Sequence, residues 1–138
     1  MPFPTFAVWH VFVAAIASFA FGSVWYGTLS KPWMAALGKT REELAAQGSP
    51  AVPMVFAILA QIVMAYVLAS LLALGAAGAA VTMSGALGLA FTVWLGFVLA
   101  TLVTNHRFGG ASWALTAIDG GHWLGVLLVQ AFVLALLA

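Results

Sequence analysis

The side chains best placed to do chemistry in this chain are an acid and a histidine one helical turn apart, Asp119 and His122. They lie in a stretch that is otherwise apolar enough to be a lipid-buried helix. Ionisable side chains at membrane depth are costly, so they usually face a protein interior or a wet cavity and mark functional candidates. A carboxylate three residues from an imidazole can share a proton with it, as in the proton relays of transporters.

Other polar side chains are expected beside this pair. At 100° per residue, Thr116 and Gln130 share a stripe with Asp119 and His122. At 1.5 Å per residue from the start of the predicted helix, Asp119 lies about 9 Å and His122 about 14 Å into the membrane. In the neighbouring spans, Gln61 is expected at a depth similar to that of His122, and Asn105 at the cytoplasmic end of the third span. The predicted substrate or proton site therefore consists of Asp119, His122, Asn105, Gln61 and Thr116.

Several uses of these residues remain open. Asp119 and His122 are both possible metal ligands, but two ligands are too few and His106 is only a speculative third. Haem between helices needs a histidine on each side of the ring, and His10 and His122 differ in depth. No serine stands beside a histidine in a recognisable catalytic motif. We therefore predict no catalytic residue, no metal and no cofactor, and an enzyme is the least favoured class.

A structural role is the main alternative. Asp119 and His122 would then hydrogen-bond each other and a neighbour such as Asn105 or Gln61, and so lock the helices together. Hydrogen bonds between helices in a membrane are worth about 0.6–2 kcal/mol each. That is enough for a structural role.

The composition indicates a membrane protein. Hydrophobic residues make up 65% of the 138 residues and charged residues 5%, against about 45–50% and about 25% in ordinary soluble domains. A soluble fold of this length could not bury so much apolar surface, so the lipid bilayer is the expected surrounding. The net charge of +1 offers no basic face for nucleic acid. Because the chain has no cysteine, disulfides and thiolate metal sites are excluded.

Four apolar segments predict a single domain, an all-α bundle of four transmembrane helices, at about 6–26, 52–74, 83–104 and 113–137. The stretch 31–49 between the first two is the only soluble-looking one. There, Thr40 followed by Glu43 fits a capping box and predicts a short helix over about 41–47. We expect this helix to lie at the cytoplasmic membrane interface. Aromatic residues suited to that interface are the predicted anchors Trp25, Tyr26 and Trp33.

Lysine and arginine positions predict the orientation. Lys31, Lys39 and Arg41 lie in the first loop and Arg107 in the third, whereas the second loop and both termini have neither residue type. The positive-inside rule then places these loops in the cytoplasm and both termini outside. No basic residue precedes Phe6, so we expect the first span to be an uncleaved anchor and not a signal peptide.

Small residues are expected to bring the helices close together. Gly121 and Gly125 form a GxxxG pair in the fourth span, on a face that the helical projection separates from Asp119. The first span carries a ladder of small residues: Ala14, Ser18 and Gly22. Such motifs serve packing within one chain or between copies. Because one such bundle encloses little space, we expect a homo-oligomer or a larger membrane complex.

Aromatic, glycine and polar residues along most of the chain form a further pattern: Gly22, Trp25, Tyr26, Lys31, Trp33, Met34, Gly96, Phe97, Asn105, Asp119, Gly121 and His122. This pattern resembles a bacterial membrane family known as domain of unknown function 1761. Family members commonly have an aromatic residue where this chain has Gly121. The resemblance implies a four-helix protein and a shared feature that includes Trp25, Tyr26, Asn105, Asp119 and His122. It implies no substrate, reaction or cofactor.

Two functional hypotheses follow. The first is a small transporter, channel or small-ligand-binding protein of the bacterial inner membrane that uses the Asp119 and His122 site. The second is a non-catalytic accessory or structural subunit of a larger membrane complex. The chain resembles small multidrug transporters only in outline, because they carry a glutamate in the first span, where this chain has His10 as its ionisable side chain.

Overall fold

The computed structural model describes residues 6–138, and this part of the chain is helical without strands. The helices in chain order are α1 (Val8–Thr28), α2 (Ser30–Leu37), α3 (Arg41–Ala46), α4 (Ala51–Ala76), α5 (Met83–Val93), α6 (Ala100–Phe108) and α7 (Trp113–Leu137). A π-helical segment, Trp94–Leu99, joins α5 and α6 into one continuous helix. We call this continuous helix, Met83–Phe108, the third long helix.

Four helices are long and apolar enough to cross a membrane: Val8–Thr28, Ala51–Ala76, Met83–Phe108 and Trp113–Leu137. They match the four predicted spans, with ends that differ by a few residues. Their lengths of 21 to 26 residues correspond to about 31–39 Å, which covers a hydrocarbon core of roughly 30 Å. The helices therefore indicate a multi-pass membrane protein.

The first connection contains two short helices where the sequence predicts one. The expected helix is present as α3, and Thr40 Oγ1 accepts a hydrogen bond from the Glu43 amide at 3.1 Å. The additional helix, α2, follows α1 after a single residue and ends at Leu37, and its C-cap is Gly38, whose φ is 71°. Ser112, at the start of α7, donates a 2.9 Å hydrogen bond from its Oγ to the Ala36 carbonyl of α2. The first and third connections therefore lie at the same end of the bundle, which we call the loop end.

Helix α7 is the centre of the bundle, since it packs against α1, α4 and the third long helix. The core contains many buried alanines, and leucines fill the space between them: Ala14, Ala15, Ala65, Ala69, Ala86, Ala90, Ala131, Leu68, Leu72, Leu127 and Leu134. Small side chains let helix backbones approach closely. Large apolar side chains such as Phe56 and Phe97 are exposed on the outer faces, as expected for helices surrounded by lipid.

Candidate functional site

Asp119 is the point where three long helices meet through side chains. The Tyr26 hydroxyl of α1 donates a 2.7 Å hydrogen bond to Asp119 Oδ1. On the other side, His106 Nε2 of the third long helix lies 3.8 Å from Asp119 Oδ2. The side chains of His106 and Asp119 are 17% and 19% exposed, so both reach the surface near the loop end.

The polar contacts continue from His106 towards the third connection. His106 Nδ1 and Thr116 Oγ1 are hydrogen-bonded at 2.8 Å. Arg107 Nη2 donates to the same Thr116 oxygen at 2.9 Å, and the Arg107 guanidinium lies 3.7 Å from the centre of the Trp113 ring. We call this connected set, Tyr26, Asp119, His106, Thr116 and Arg107, the loop-end array.

Two indoles hold the helices on either side of Asp119. The Trp25 indole N–H donates to the Ile118 carbonyl at 3.0 Å, and the Trp94 indole N–H donates to the Gly120 carbonyl at 2.9 Å. These bonds tie α7 to α1 and to the third long helix at the level of the carboxylate. Since both neighbours are fixed in this way, Tyr26 and His106 are held in register with Asp119.

His122 is close to Asp119 but is not bonded to it. Among the described residues the two side chains share no hydrogen bond; instead, the His122 ring lies 4.7 Å from the Tyr26 ring. His122 is 6% exposed, and its Nδ1 atom is buried without a hydrogen-bond partner in the described chain. Tyr26 therefore connects the pair, because its hydroxyl contacts Asp119 and its ring packs against His122.

Gln61 belongs to a second polar group deeper in the bundle. Ser18 Oγ donates to Gln61 Oε1 at 2.7 Å, while Gln130 Nε2 donates to Ser18 Oγ and to the Gln61 carbonyl, both at 3.0 Å. All three side chains are buried. We call Ser18, Gln61 and Gln130 the core amide cluster. The sequence placed Gln61 beside Asp119, but the structure gives it these other partners.

A groove of about 760 Å³ brings Gln61 and His122 to one surface. It lies between α1, α4 and α7, and Tyr26 and Arg41 also line it. Most of the remaining lining is apolar, from side chains such as Phe19 and Met54. The predicted site residues Gln61 and His122 therefore meet through this groove and not through a direct bond.

Asn105 lies outside the loop-end array because of the π-helical segment. The side chain is exposed and makes no hydrogen bond with the described residues. In a regular helix at 100° per residue, Asn105 would point within about 20° of Trp94, and His106 about 120° away. One extra residue in a π-helical turn removes about 100° of rotation. His106 therefore takes the direction that the sequence assigned to Asn105.

The three predicted interface anchors lie near the loop end, but two of them bond to α7. Trp25 and Tyr26 contact the Ile118 carbonyl and the Asp119 carboxylate. Trp33 of α2 packs edge-on against the Tyr26 ring, with 5.8 Å between ring centroids. The sequence did not reveal these bonds, since an aromatic residue at a helix end fits an interface and an interior equally well.

The GxxxG pair packs within the chain. A Cβ atom built on Gly121 would lie 2.8 Å from the Trp25 ring, and one on Gly125 would overlap the Phe21 ring. Both glycines thus make room for aromatic side chains of α1. The helical projection places this glycine face of α7 away from Asp119. Both faces nevertheless contact the same turn of α1, because Trp25 packs on Gly121 and the adjacent Tyr26 bonds to Asp119.

The titratable side chains do not gather into a metal site. Within residues 6–138, no group of three histidine, aspartate or glutamate side chains is arranged to hold a metal ion. The arrangement can support proton exchange between a carboxylate and an imidazole beside a phenol that donates a hydrogen bond to the carboxylate, together with hydrogen bonding in the groove.

Comparisons with known proteins find one match. Neither curated proteins nor solved structures match this chain. A family model does match residues 9–135, and its description is "Protein of unknown function (DUF1761)". The match covers nearly the whole chain and confirms the resemblance seen in the sequence. The chain therefore belongs to the DUF1761 family.

Proposed function

We propose that this chain is a membrane protein that binds or transports a small ligand and exchanges protons at Asp119 in the process. The observation that carries the proposal is the loop-end array. Asp119 is the only acid within the long helices, because the other two acids, Glu42 and Glu43, lie in α3. The Tyr26 hydroxyl and the His106 imidazole flank its two oxygens.

The array supports proton exchange between the loop end and Asp119. His106 and Asp119 are partly exposed, so water can reach them. The Tyr26 hydroxyl bonds to Asp119, and the Tyr26 ring packs against His122. Ionisable groups at this depth are typical of proton relays and ligand sites in membrane proteins.

The second candidate function is that of a non-catalytic structural or accessory subunit. The observation favouring it is that the polar groups around Asp119 also tie helices together, since Trp25 and Trp94 bond to the carbonyls on either side of it. In that case the array would act only as a set of interhelical hydrogen bonds. The two candidates differ in whether proton movement depends on Asp119.

The cellular setting remains part of the proposal. Lys31, Lys39, Arg41 and Arg107 are all near the loop end, which supports a cytoplasmic location for that end, with both termini outside. We further propose that the protein forms a homo-oligomer or joins a larger complex in the bacterial inner membrane. Labelling single cysteines in the second and third loops from outside intact cells tests this orientation.

The test of the proposed function uses Asp119→Asn, which keeps the shape and removes the charge. Purified protein is reconstituted into lipid vesicles that contain a pH-sensitive dye, and a potassium diffusion potential drives proton entry. We expect wild-type protein to raise the entry rate above that of protein-free vesicles, and Asp119→Asn to lower it at least tenfold. His10→Gln, at the opposite end of α1, is the matched control and should keep the wild-type rate.

Thermal unfolding of the same proteins separates the two candidates. If wild-type vesicles take up protons no faster than protein-free vesicles, and Asp119→Asn only lowers the unfolding temperature, the structural candidate is correct. If Asp119→Asn folds normally and proton entry is lost, the structural candidate is excluded.

A further inference from the structure

The groove between α1, α4 and α7 has an apolar wall and a polar floor. At 1.5 Å per residue, Gln61 is about 15 Å along α4 and His122 about 14 Å along α7 from their loop-end starts. The wall includes Phe19, Met54 and Trp123, while Arg41 lies at the loop end of the groove. The groove thus extends from the loop end to about half the membrane depth.

The floor has spare hydrogen-bonding capacity. Gln61 lines the groove, and the only hydrogen bond of its side-chain amide is the one from Ser18 to Oε1, so Nε2 makes no hydrogen bond with the described residues. His122 also lines the groove, and its Nε2 atom, which faces the groove residue Gly22, makes no hydrogen bond with the described residues either. Polar groups away from water are normally hydrogen-bonded. Two such groups on one groove surface therefore indicate a bound molecule with hydrogen-bonding atoms.

The charge distribution limits what this molecule can be. Arg41 is the only charged side chain among the described residues that line the groove, and it lies in α3, in the first connection at the loop end. An anionic group that moved from water to the floor would lose its hydration and find no cation beside it, which is strongly unfavourable. The part of the ligand that reaches Gln61 and His122 must therefore be neutral.

From these observations we infer that the groove binds a neutral lipophilic molecule that carries carbonyl or hydroxyl oxygens, with the oxygens at Gln61 and His122. The apolar body packs against Phe19, Met54 and Trp123, and the bilayer supplies such molecules from the side. This inference rests on the proposed function and names its ligand class. Its test measures binding in detergent, so it can fail while proton exchange at Asp119 holds, and the reverse.

The binding test compares three probes on purified protein by calorimetric titration. The probes are a decyl-substituted benzoquinone, decylbenzene without oxygens, and decanoate as an anionic amphiphile. We expect the quinone to bind about tenfold more tightly than decylbenzene, since one or two buried hydrogen bonds distinguish them. All variants are measured in the same detergent, so that partition of each probe into micelles is the same throughout.

Matched variants separate binding from stability. Gln61→Leu and His122→Phe should each weaken quinone binding about tenfold. Gln130→Leu removes a partner of the same core amide cluster without touching the groove, so it should lower the unfolding temperature and keep the affinity. Ala57→Leu adds bulk to the groove wall and should also exclude the quinone. It replaces a floor variant in the test if that variant fails to fold. Arg41→Gln should leave quinone binding unchanged.

Two results would overturn the inference. Equal affinity for the quinone and decylbenzene would show that the polar floor takes no part, and that the groove holds only hydrocarbon. Tight decanoate binding that is lost in Arg41→Gln would instead assign the groove to an anionic amphiphile.

Discussion

At the residue scale, the sequence indicated the position of Asp119, and the structure identified the side chains that contact it. The sequence identified Asp119 and His122 as costly groups in an apolar helix, and the structure places Asp119 partly exposed near the loop end and His122 buried deeper in the bundle. Their partners were not predictable, because a hydrogen bond between helices depends on how each helix is rotated about its axis. Tyr26 and His106 thus emerged as partners of Asp119 only from the packed bundle.

A glycine beside His122 tests how tightly this region is packed. A Cβ atom on Gly22 would lie 2.7 Å from His122 Nε2, and the His122 ring is held between Tyr26 and Trp123. We expect Gly22→Ala to lower the free energy of unfolding by about 1–3 kcal/mol, the usual cost of overpacking.

The matched control is Gly27→Ala in the same helix, where no atom lies within 4 Å of the added Cβ. This change should be neutral or stabilise by up to about 1 kcal/mol, because alanine favours a helix more than glycine does. Denaturant unfolding in detergent measures both. A similar loss of stability in the two variants would contradict the packing described around His122.

At the element scale, the π-helical segment Trp94–Leu99 decides which residue faces Asp119. The ends of the four long helices were predictable to within a few residues, since each is a long apolar run. The π-helical segment was not, because the third long helix is apolar on most sides and shows no clear period that a shift would interrupt. π-Helical turns are frequent at functional sites, and here the turn brings His106 and not Asn105 to the carboxylate.

Cysteine accessibility measures this rotation directly, because the chain has no cysteine of its own. We expect Asn105→Cys to react with a water-soluble maleimide at least several-fold faster than His106→Cys, since Asn105 is exposed and His106 faces Thr116 and Asp119. A regular α-helix through this region predicts the opposite order. Faster labelling of His106→Cys would therefore contradict the π-helical register.

At the scale of the whole molecule, two polar groups lie at different depths around α7. The loop-end array is near the surface, and the core amide cluster lies deeper, while the groove contacts both through Tyr26 and Gln61. The sequence predicted one site from the stripe on α7 together with Gln61 and Asn105. It could not separate the two groups, because the helical stripe gives the direction of a side chain and not which neighbouring helix it meets.

The central claim, that Asp119 exchanges a proton within the loop-end array, is tested most directly by infrared difference spectroscopy on the protein reconstituted in lipid. The signal of a protonated carboxyl group is followed as the pH is lowered. Glu42 and Glu43 also give carboxyl signals, so the wild-type spectrum is compared with that of Asp119→Asn. We predict a carboxyl component that is missing in Asp119→Asn, shifted in both Tyr26→Phe and His106→Gln, and unchanged in His10→Gln. Identical carboxyl signals in the wild type and Asp119→Asn, or a component that neither Tyr26→Phe nor His106→Gln shifts, would contradict the claim.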